Sequence, residues 1–384
     1  MVFLHLFCFL ISAGWLYAFF RTIRAMIRKK YELHPEGPKG DPNITVSIVI
    51  PARNEERNIR SCVLSALNQD HPSVEVIVLD DASDDSTPQI LEKLIQEFPQ
   101  LIIEKGTGEP LPEGWFGKPW ALERAQKKAN GTWILFVDAD VVLSPKAVSR
   151  CLFYAQQNQL GMLTGLGTLT MESFWEYVLQ PAIGGLILAG NSLSKVNDHR
   201  QKDHNLANGQ FIMITRQAYE KIGRHGAVKN NILDDIGMAR ALAEHDVPYH
   251  CLHLQDIFSC RMYTSFSEIW EGWTKNLFAG LRYSWFNLIV TILFTFAFSS
   301  LGITLLGLYL SGVVGLKACF IWGMILTILP ISIRIIMDIR RKQNPIFALT
   351  HPFANLIVCV LLFNSALRST RGTVQWKGRI YKPE

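Results

Sequence analysis

Two carboxylates, Asp138 and Asp140, stand one residue apart within the apolar run "WILFVDADVVLS". Alternate residues of an extended segment point to the same side, so both carboxylates would face one direction. Buried charge is costly unless it is paired, hydrogen-bonded or bound to a cation. The pair therefore predicts a site for a divalent metal or a cationic ligand; the alternative is an ordinary pair of turn carboxylates.

Acidic residues also stand at the ends of two earlier predicted strands. Glu55 follows "VSIVIP" (46–51), and Asp80 and Asp81 close "VEVIVLD" (74–80). Helical patterns separate these strands, which predicts a mostly parallel sheet covered on both faces. Ligands of such sheets bind beyond the carboxyl ends of the strands. We therefore expect acids from three strand ends to converge on one pocket.

The spacing of these acids distinguishes among ligands. A calcium loop gathers its oxygen ligands within about a dozen residues, whereas here they come from three separate strand ends. Mg²⁺ or Mn²⁺ held by one or two carboxylates and by substrate phosphates fits this spacing better. Neither a G-x-x-x-x-G-K-[ST] loop nor a G-x-G-x-x-G turn occurs in the chain, so a P-loop and a dinucleotide-binding fold are not supported.

The composition indicates a membrane protein. Hydrophobic residues make up 49% of the chain and charged residues 18%, against about 25% charged in ordinary soluble domains. Residues 1–20 and 284–316 contain no Lys, Arg, Asp or Glu, and each is long enough to span a bilayer. A cleaved signal peptide is the alternative for 1–20, but the segment has neither a basic start nor a small-residue cleavage pattern.

The charges predict the orientation. The basic segment "RTIRAMIRKK" follows residues 1–20, so the positive-inside rule places the next domain in the cytoplasm of a multi-pass cell-membrane protein. Segments 286–310 and 318–337 would cross outward and back. We expect 346–367 to be re-entrant or interfacial, because it is interrupted by Pro345, His351, Pro352 and Asn355. The basic residues suit anionic lipid headgroups, and no nucleic-acid partner is predicted.

These patterns predict five segments, and residues 174–193 within the third are expected to lie in the membrane interface. The segments are an N-terminal transmembrane helix (1–20), a basic juxtamembrane linker (21–44), a catalytic domain (45–284), a C-terminal membrane segment (285–367) and a basic tail (368–384).

Several motifs together resemble the family-2 glycosyltransferases. They are "VSIVIPARNEERNI", "VIVLDDASDDST", "GKPWALERA", "FVDAD" and "NILDDIGMARAL", in the family's order. "GWFGKPWA", "RMYTSFSEIWEGWTKN" and "RGTVQWKGRIY" are similar to its membrane-bound branch, which includes carotenoid glucosyltransferases and hopanoid-associated enzymes. The resemblance implies an α/β nucleotide-binding domain of the glycosyltransferase A type, with an N-terminal transmembrane helix and C-terminal membrane helices.

The resemblance also implies roles for the acids. Glu55 and Asp80 or Asp81 would accept hydrogen bonds from the base and ribose of a nucleotide. For Glu55 the alternative is an acid in the first turn of a helix. Asp140, with Asp138 beside it, would hold Mg²⁺ or Mn²⁺ against the diphosphate.

Three further positions have both a functional and a plain structural interpretation. Lys118, at a helix entry, could meet the diphosphate or the sugar, or be a solvated lysine. Asn208, with Gly209, matches a segment lining the donor and acceptor, or forms a turn at a strand edge. Asp235 matches the catalytic base that deprotonates the acceptor hydroxyl, while Asp234 is expected to cap the helix.

The acceptor side is less defined. The family's Q-x-x-R-W element is absent, which argues against a processive polysaccharide synthase, and "IWEGWTKN" stands in its place. Trp270, Trp273 and Lys275 could contact a lipid acceptor there, or the two indoles could serve packing alone. Arg261 or Lys275 could bind the phosphate of a polyprenyl phosphate.

The sequence therefore predicts inverting transfer of a hexose from a nucleotide sugar, UDP-glucose being the first choice, to a hydroxyl of a carotenoid or terpenoid. A glycerolipid or a polyprenyl phosphate is the alternative acceptor. A non-catalytic membrane transport or assembly protein is the alternative outside this class.

Overall fold

A computed structural model describes residues 2–106, 108–313, 317–376 and 378–381. The chain divides into two compact units. The sheet unit comprises Tyr31–Thr170, Asn191–Met262 and Lys377–Glu384, and the helical unit comprises Met1–Lys30, Met171–Gly190 and Tyr263–Trp376. Residues 377 and 382–384 of the expected basic tail lie outside the described residues.

The strands of the sheet unit form a seven-stranded and a three-stranded sheet, in the orders β3-β2-β1-β4-β8-β6-β9 and β5-β10-β7. Their bounds are β1 (Val46–Ala52), β2 (Val74–Asp80), β3 (Ile102–Lys105), β4 (Trp133–Val137), β5 (Val141–Leu143), β6 (Met162–Leu166), β7 (Thr168–Leu169), β8 (Phe211–Thr215), β9 (Tyr249–His253) and β10 (Phe258–Cys260). Two further short strands, β11 (Val374–Trp376) and β12 (Arg379–Tyr381), lie near the end of the chain.

The large sheet is mostly parallel, as the alternation of strands and helices predicts. β1 pairs in parallel with both β2 and β4, β2 with β3, and β6 with β9. Only β8 runs antiparallel to its neighbours β4 and β6. Every residue of β4 is buried, which suits an apolar strand covered on both faces. The carboxyl ends of β1, β2 and β4 therefore meet at one edge.

Fourteen α-helices lie in the described residues, with 3₁₀ turns at Gln126–Lys128, Arg224–Val228 and Pro345–Thr350 and a π-helical segment at Phe296–Ser300. The helices are α1 (Val2–Arg28), α2 (Ile59–Leu67), α3 (Thr87–Glu97), α4 (Gly117–Ala125), α5 (Ala147–Gln157), α6 (Phe174–Gly190), α7 (Leu193–Val196), α8 (Arg216–Lys221), α9 (Asp234–Glu244), α10 (Phe266–Gly280), α11 (Trp285–Thr295), α12 (Leu301–Leu310), α13 (Lys317–Arg340) and α14 (His351–Thr370).

Two helix starts differ from the sequence pattern in ways that affect the site. α2 begins at Ile59, so Glu55 precedes the helix and its carbonyl oxygen accepts from the backbone N–H of Ile59. α4 begins at Gly117, which places Lys118 inside its first turn. Pro119 allows this early start, because the first turn of a helix needs no N–H from that residue.

Four helical segments of the described chain are long and apolar enough to cross a membrane: Val2–Arg24, Trp285–Leu310, Lys317–Arg340 and Pro345–Thr370. Prolines do not interrupt the last of these segments, contrary to the expectation from the sequence, whereas its re-entrant or interfacial placement stays a prediction. Pro345 stands in the first turn of the 3₁₀ segment and Pro352 in the first turn of α14, so both begin helical structure. The helix then continues to Thr370.

Polar side chains join the helices of the helical unit. Trp15 Nε1 on α1 donates to the carbonyl oxygen of Phe298 at 2.6 Å. Ser365 Oγ on α14 donates to the carbonyl oxygen of Thr274 on α10 at 2.5 Å and accepts from the backbone N–H of Phe278 at 3.0 Å. Such bonds matter between apolar helices, because apolar surfaces gain little by leaving lipid for one another.

The apolar side chains that remain exposed on these segments predict firm membrane insertion. Phe3 is 87% exposed, Phe286 75% and Leu310 74%. Exposed apolar surface of this kind marks a membrane or protein interface, and the length of these helices favours the membrane. We predict that a high-salt wash leaves the protein in the membrane fraction, and that deleting residues 1–30 does not release it. Immunoblotting of washed membranes checks both; release by salt would mean that these helices do not span the bilayer.

Candidate active site

The loops that follow β1 and β2 are linked to each other by hydrogen bonds. The backbone N–H of Asn54 donates to Ser83 Oγ at 2.9 Å, and that of Asp84 donates to Asn54 Oδ1 at 3.0 Å. Asn54 has a φ of 54°, in the left-handed region that asparagine tolerates better than most residues. These hydrogen bonds join the two loops, which we call the rim; it carries Glu55, Asp80 and Asp81.

Asp80 and Asp81 are both buried, and each carboxylate has a different partner. Asp80 Oδ1 accepts from the N–H of Ser83 at 3.1 Å and from Ser83 Oγ at 2.5 Å, which closes the turn after β2. Asp81 Oδ2 accepts from Arg379 Nη1 at 2.7 Å. Asp80 thus holds the loop, whereas Asp81 is neutralised by a distant part of the chain.

Glu55 lies on the same rim, ahead of α2 rather than in its first turn. Its N–H donates to Thr87 Oγ1 at 2.8 Å, and its Oε2 accepts from Asn58 Nδ2 at 3.3 Å. Glu55 therefore does not stand in the first turn of a helix, which was the structural alternative for this residue. Its contact with a nucleotide stays a prediction.

Lys118 and Asp138 form an ion pair, with 2.6 Å between Nζ and Oδ1. Burial lowers the pKa of Lys118, but the charges of Asp138 and Asp234 outweigh burial, so its pKa lies above the ordinary value. Lys118 is therefore a fixed positive charge beside the strand end, rather than a lysine surrounded by solvent.

Asp235 lies close to this ion pair. Its Oδ2 accepts from the N–H of Gly209 at 2.8 Å, and its Oδ1 accepts from the N–H of Ile236 at 2.8 Å. A Cβ added to Gly209 would lie 3.1 Å from Lys118 Nζ and 3.5 Å from Asp235 Oδ2. Lys118 and Asp235 therefore approach the same glycine, and Asp138 is connected to them by its ion pair with Lys118.

The surroundings of Asp235 raise the pKa of its carboxyl group. Burial raises its pKa to about 6, and the charge of Asp234 adds to the shift, whereas Lys118 and the two N–H donors oppose it. A carboxylate with such a pKa is mostly ionised at neutral pH and can still accept a proton.

The expectation that Asp234 caps α9 is wrong. Leu233 occupies the cap position, and its N–H donates to Asn231 Oδ1 at 3.0 Å. Asp234 and Asp235 both stand in the first turn, where the helix dipole favours negative charge.

Asn208 forms a turn at a strand edge, which was one of its two interpretations from the sequence. Its Nδ2 donates to the carbonyl oxygen of Gly165 at 2.9 Å, and its Oδ1 accepts from the N–H of Gln210 at 3.3 Å. These bonds fix the backbone before Gly209, so Asn208 positions the glycine that contacts Asp235. A direct contact with the donor stays a prediction.

The oxygen donors near Asp138 and Asp140 suit a hard divalent cation. Burial, and then the charge of Asp140, raises the pKa of Cys62 and of Cys260, so both stay thiols and are poor ligands. No group of three or more His, Cys, Asp or Glu residues in the described chain is placed to hold a metal by itself. Mg²⁺ and Mn²⁺ fit such a site, because substrate phosphates and water complete their coordination.

The predicted acceptor residues lie on both units. Trp270, Trp273 and Lys275 are on α10 of the helical unit, and Arg261 belongs to the sheet unit. Trp273 Nε1 donates to Gln180 Oε1 on α6 at 3.1 Å, and the ring of Trp270 lies 5.6 Å from that of Phe266. The packing interpretation of the two indoles is therefore observed, and their contact with an acceptor stays a prediction.

The sequence analysis missed Arg379 as a partner of Asp81. The two residues are 298 positions apart, so no local pattern connects them. It also missed Arg53, whose Nη1 donates to the carbonyl oxygen of Asp81 at 2.7 Å. The basic composition of the C-terminal tail was the only available signal for Arg379.

Known proteins share this fold and these motifs. Residues 47–223 match the family model described as "Glycosyl transferase family 2". Residues 47–223 thus form a family-2 glycosyltransferase domain within an α/β fold of the glycosyltransferase A type. This domain supports an enzyme over the alternative of a non-catalytic transport or assembly protein. The match includes Glu55, Lys118 and Asp140 but ends before Asp235.

More particular similarities extend over most of the chain. It is 27% identical over 344 residues to the 4,4'-diaponeurosporenoate glycosyltransferase of Staphylococcus aureus strain USA300, covering 88% of each chain, and equally to that of strain MRSA252. The structure is similar to mannosyltransferase PcManGT from Pyrobaculum calidifontis, solved with GDP-Man and Mn²⁺, with a TM-score of 0.56. That similarity covers 95% of this chain and 98% of the other at 13% identity, and it supports the fold.

The contact network predicts how Lys118 affects Asp235. Lys118 lowers the pKa of Asp235, so Lys118→Met should raise it. Protonation of the carboxylate would then begin at higher pH, so the acid limb of the kcat/KM profile should move to higher pH. The pH profile of glycosyl transfer measures this shift. Lys128→Met, at a lysine that is 58% exposed, is the matched control and should leave the profile unchanged. If the acid limb of Lys118→Met lies at the same pH as that of the wild type, Lys118 does not control the pKa of the group that titrates.

Proposed function

We propose that the protein transfers a hexose from a nucleotide sugar, UDP-glucose being the first choice, to a membrane lipid with inversion at the anomeric carbon. The observation that carries this proposal is the approach of Lys118 and Asp235 to Gly209, with Asp138 paired to Lys118. A fixed cation, an oxygen donor for a metal and a carboxylate of raised pKa are the groups that this reaction needs.

The donor nucleotide would bind along the rim formed by the loops after β1 and β2. Glu55, Asp80 and Asp81 offer carboxylate oxygens, which accept from the N–H of a base and the O–H of a ribose. Loop bonds such as Asp80–Ser83 hold these groups in place before the ligand arrives, which reduces the ordering cost of binding.

The diphosphate would lie toward Lys118, with Asp138 and Asp140 holding the divalent metal. Such a metal neutralises charge that develops on the diphosphate leaving group. Lys118 supplies a second, permanent positive charge at the same place, since its neighbours keep it protonated. PcManGT was solved with a nucleotide sugar and Mn²⁺, which is consistent with this arrangement.

Asp235 would act as the base. Its carboxylate takes the proton of the acceptor hydroxyl while the hydroxyl oxygen forms a bond to the anomeric carbon from the opposite side of the leaving group. The bond from the anomeric carbon to the diphosphate oxygen breaks with its electron pair, and the nucleoside diphosphate departs. The N–H groups of Gly209 and Ile236 orient the carboxylate for this step.

A carotenoid or a related terpenoid is the acceptor that we favour, because the Staphylococcus aureus relative is named for 4,4'-diaponeurosporenoate. The four apolar segments would hold the protein in the cell membrane. By the positive-inside rule, Arg21, Arg24, Lys29 and Lys30 support a sheet unit that faces the cytoplasm. A glycerolipid or a polyprenyl phosphate is the alternative, with Arg261 or Lys275 as its phosphate partner.

Lipid extracts test the function. Lipids of cells with and without the gene are compared by mass spectrometry. Membranes isolated from both kinds of cell are also incubated with labelled UDP-glucose. We expect a hexosylated lipid that depends on the gene. The labelled donor that is accepted identifies the sugar, and the mass of the product identifies the acceptor. If none of the nucleotide sugars tested yields a labelled lipid, the proposal is contradicted.

Asp235→Asn tests the base. Asparagine is nearly the same size but cannot take the proton, so turnover should fall by roughly 10²–10⁴-fold. Binding of the nucleoside diphosphate should survive, because Asp235 acts on the acceptor. Asp234→Asn is the matched control and should cost much less.

The same variant separates two kinds of acceptor. A hydroxyl must lose its proton, whereas a carboxylate, as the "-oate" in the relative's name implies for that protein, is already ionised at neutral pH. A small effect of Asp235→Asn, with normal transfer to the identified lipid, would contradict the role as base of a hydroxyl acceptor.

Chelation tests the metal. EDTA should abolish transfer, and added Mg²⁺ or Mn²⁺ should restore it in the wild type. Asp140→Ala should stay inactive after the same addition, because a ligand has been removed. Asp84→Ala, which removes an exposed acid of the same rim, should remain responsive to metal. Full activity of the wild type in EDTA would contradict the metal assignment.

A further inference from the structure

Arg379 brings the C-terminal end of the described chain to the acidic edge of the sheet. It lies on β12, and its Nη1 is 2.7 Å from Asp81 Oδ2. The side chains of Arg379 and Asp81 are 24% and 12% exposed, so solvent screens this ion pair only partly. An exposed tail arginine would gain little from one ion pair, whereas a partly buried one is held in position.

The guanidinium of Arg379 also packs against the backbone of Gly117. A Cβ added to Gly117 would overlap Nη1 of Arg379, and the other nearby atoms are also those of the Arg379 side chain. Gly117 is the residue before Lys118, which pairs with Asp138. Arg379 therefore lies between the end of β2 and the start of α4, next to the second cation of the site.

The charges at this edge indicate what Arg379 could do there. A nucleoside diphosphate would bring additional negative charge to an edge of the sheet that already carries Glu55, Asp80, Asp81 and Asp138. Lys118 and Arg379 are cations that contact these acids. A guanidinium presents several N–H donors in a fixed plane, which suits simultaneous contact with a carboxylate and a phosphate.

We propose that Arg379 is a donor-binding residue, whose guanidinium holds Asp81 in place and contacts the diphosphate of the nucleotide sugar. This inference rests on the proposed function. Arg379 is the last residue of the terminal "WKGR" segment, so the proposal assigns a role to this segment. The segment lies outside the family-model match over 47–223, and its composition alone indicates no role.

The first test compares binding of UDP and of uridine to the detergent-solubilised full-length protein by calorimetry. Loss of a charged hydrogen bond should weaken UDP binding by about 10- to 100-fold in Arg379→Ala. Binding of uridine should change much less, since uridine has no phosphate. Arg379→Lys should lie between the wild type and Arg379→Ala, because it keeps the charge but loses the planar donor set.

Arg371→Ala is the matched control for loss of positive charge. Arg371 is exposed and lies in the same C-terminal region, so this variant should bind UDP as the wild type does. An equal loss in both arginine variants would mean that the net charge of the tail, and not the position of Arg379, attracts the diphosphate. That result would overturn the proposal.

Gly117→Ala provides an independent test, because it displaces the guanidinium without removing its charge. We expect this variant to weaken UDP binding, and we expect the effect to disappear when Arg379→Ala is already present. A Gly117→Ala effect of the same size in both backgrounds would show that Gly117 acts without Arg379 and would count against the proposal.

The outcomes separate this proposal from the proposed function. Unchanged UDP binding in Arg379→Ala, with a wild type that binds UDP, overturns the role of Arg379 and leaves the transferase assignment standing. Equal weakening for UDP and uridine overturns the diphosphate contact. A wild type that binds neither UDP nor GDP contradicts the nucleotide-sugar donor on which the inference rests.

Discussion

The ion pair between Lys118 and Asp138 is the interaction on which the site depends. A mostly parallel sheet brings the carboxyl ends of its strands to one edge, and this chain puts acids at three of them. Such a cluster of carboxylates is unfavourable unless cations lie among them. Lys118 meets this requirement from the first turn of α4, within 2.6 Å of Asp138 Oδ1. Its charge also acts on Asp235, so one lysine connects the metal position with the proposed base.

Gly209 makes the approach of Lys118 to Asp235 sterically possible. Its missing side chain lets Lys118 and Asp235 approach the same backbone segment, and its N–H fixes the carboxylate of Asp235. Asn208 holds that segment through its bond to Gly165. The carboxylate of Asp235, the proposed base, is thus oriented by backbone groups of the sheet unit, which are more rigid than a side chain would be.

The sequence was sufficient for the sheet and for the acids at its edge. Short β-branched runs such as 46–51 and 74–80, which alternate with helical patterns, predict buried parallel strands, and the acids that follow such strands share an edge. The family resemblance contributed the role of Asp235, which no local spacing could supply.

Features that depend on tertiary contacts could not be predicted in this way. Arg379 reaches Asp81 across 298 positions. Whether Lys118 belongs to a loop or to a helix turn depends on how Pro119 is accommodated, and Trp273 finds its partner Gln180 on another helix. The prolines near 345–352 were misjudged because a proline that breaks a helix interior also starts a helix well.

The central claim is that Lys118, Asp138 and Asp140 receive the diphosphate and metal while Asp235 stays available to the acceptor. Electron cryo-microscopy of the protein in lipid nanodiscs, with UDP and Mn²⁺ added, tests it most directly. The account predicts Mn²⁺ bound to Asp138 or Asp140, a phosphate oxygen within hydrogen-bonding distance of Lys118 Nζ, and an Asp235 carboxylate free of nucleotide contact. A nucleotide bound away from Lys118, or a metal held elsewhere, would contradict it.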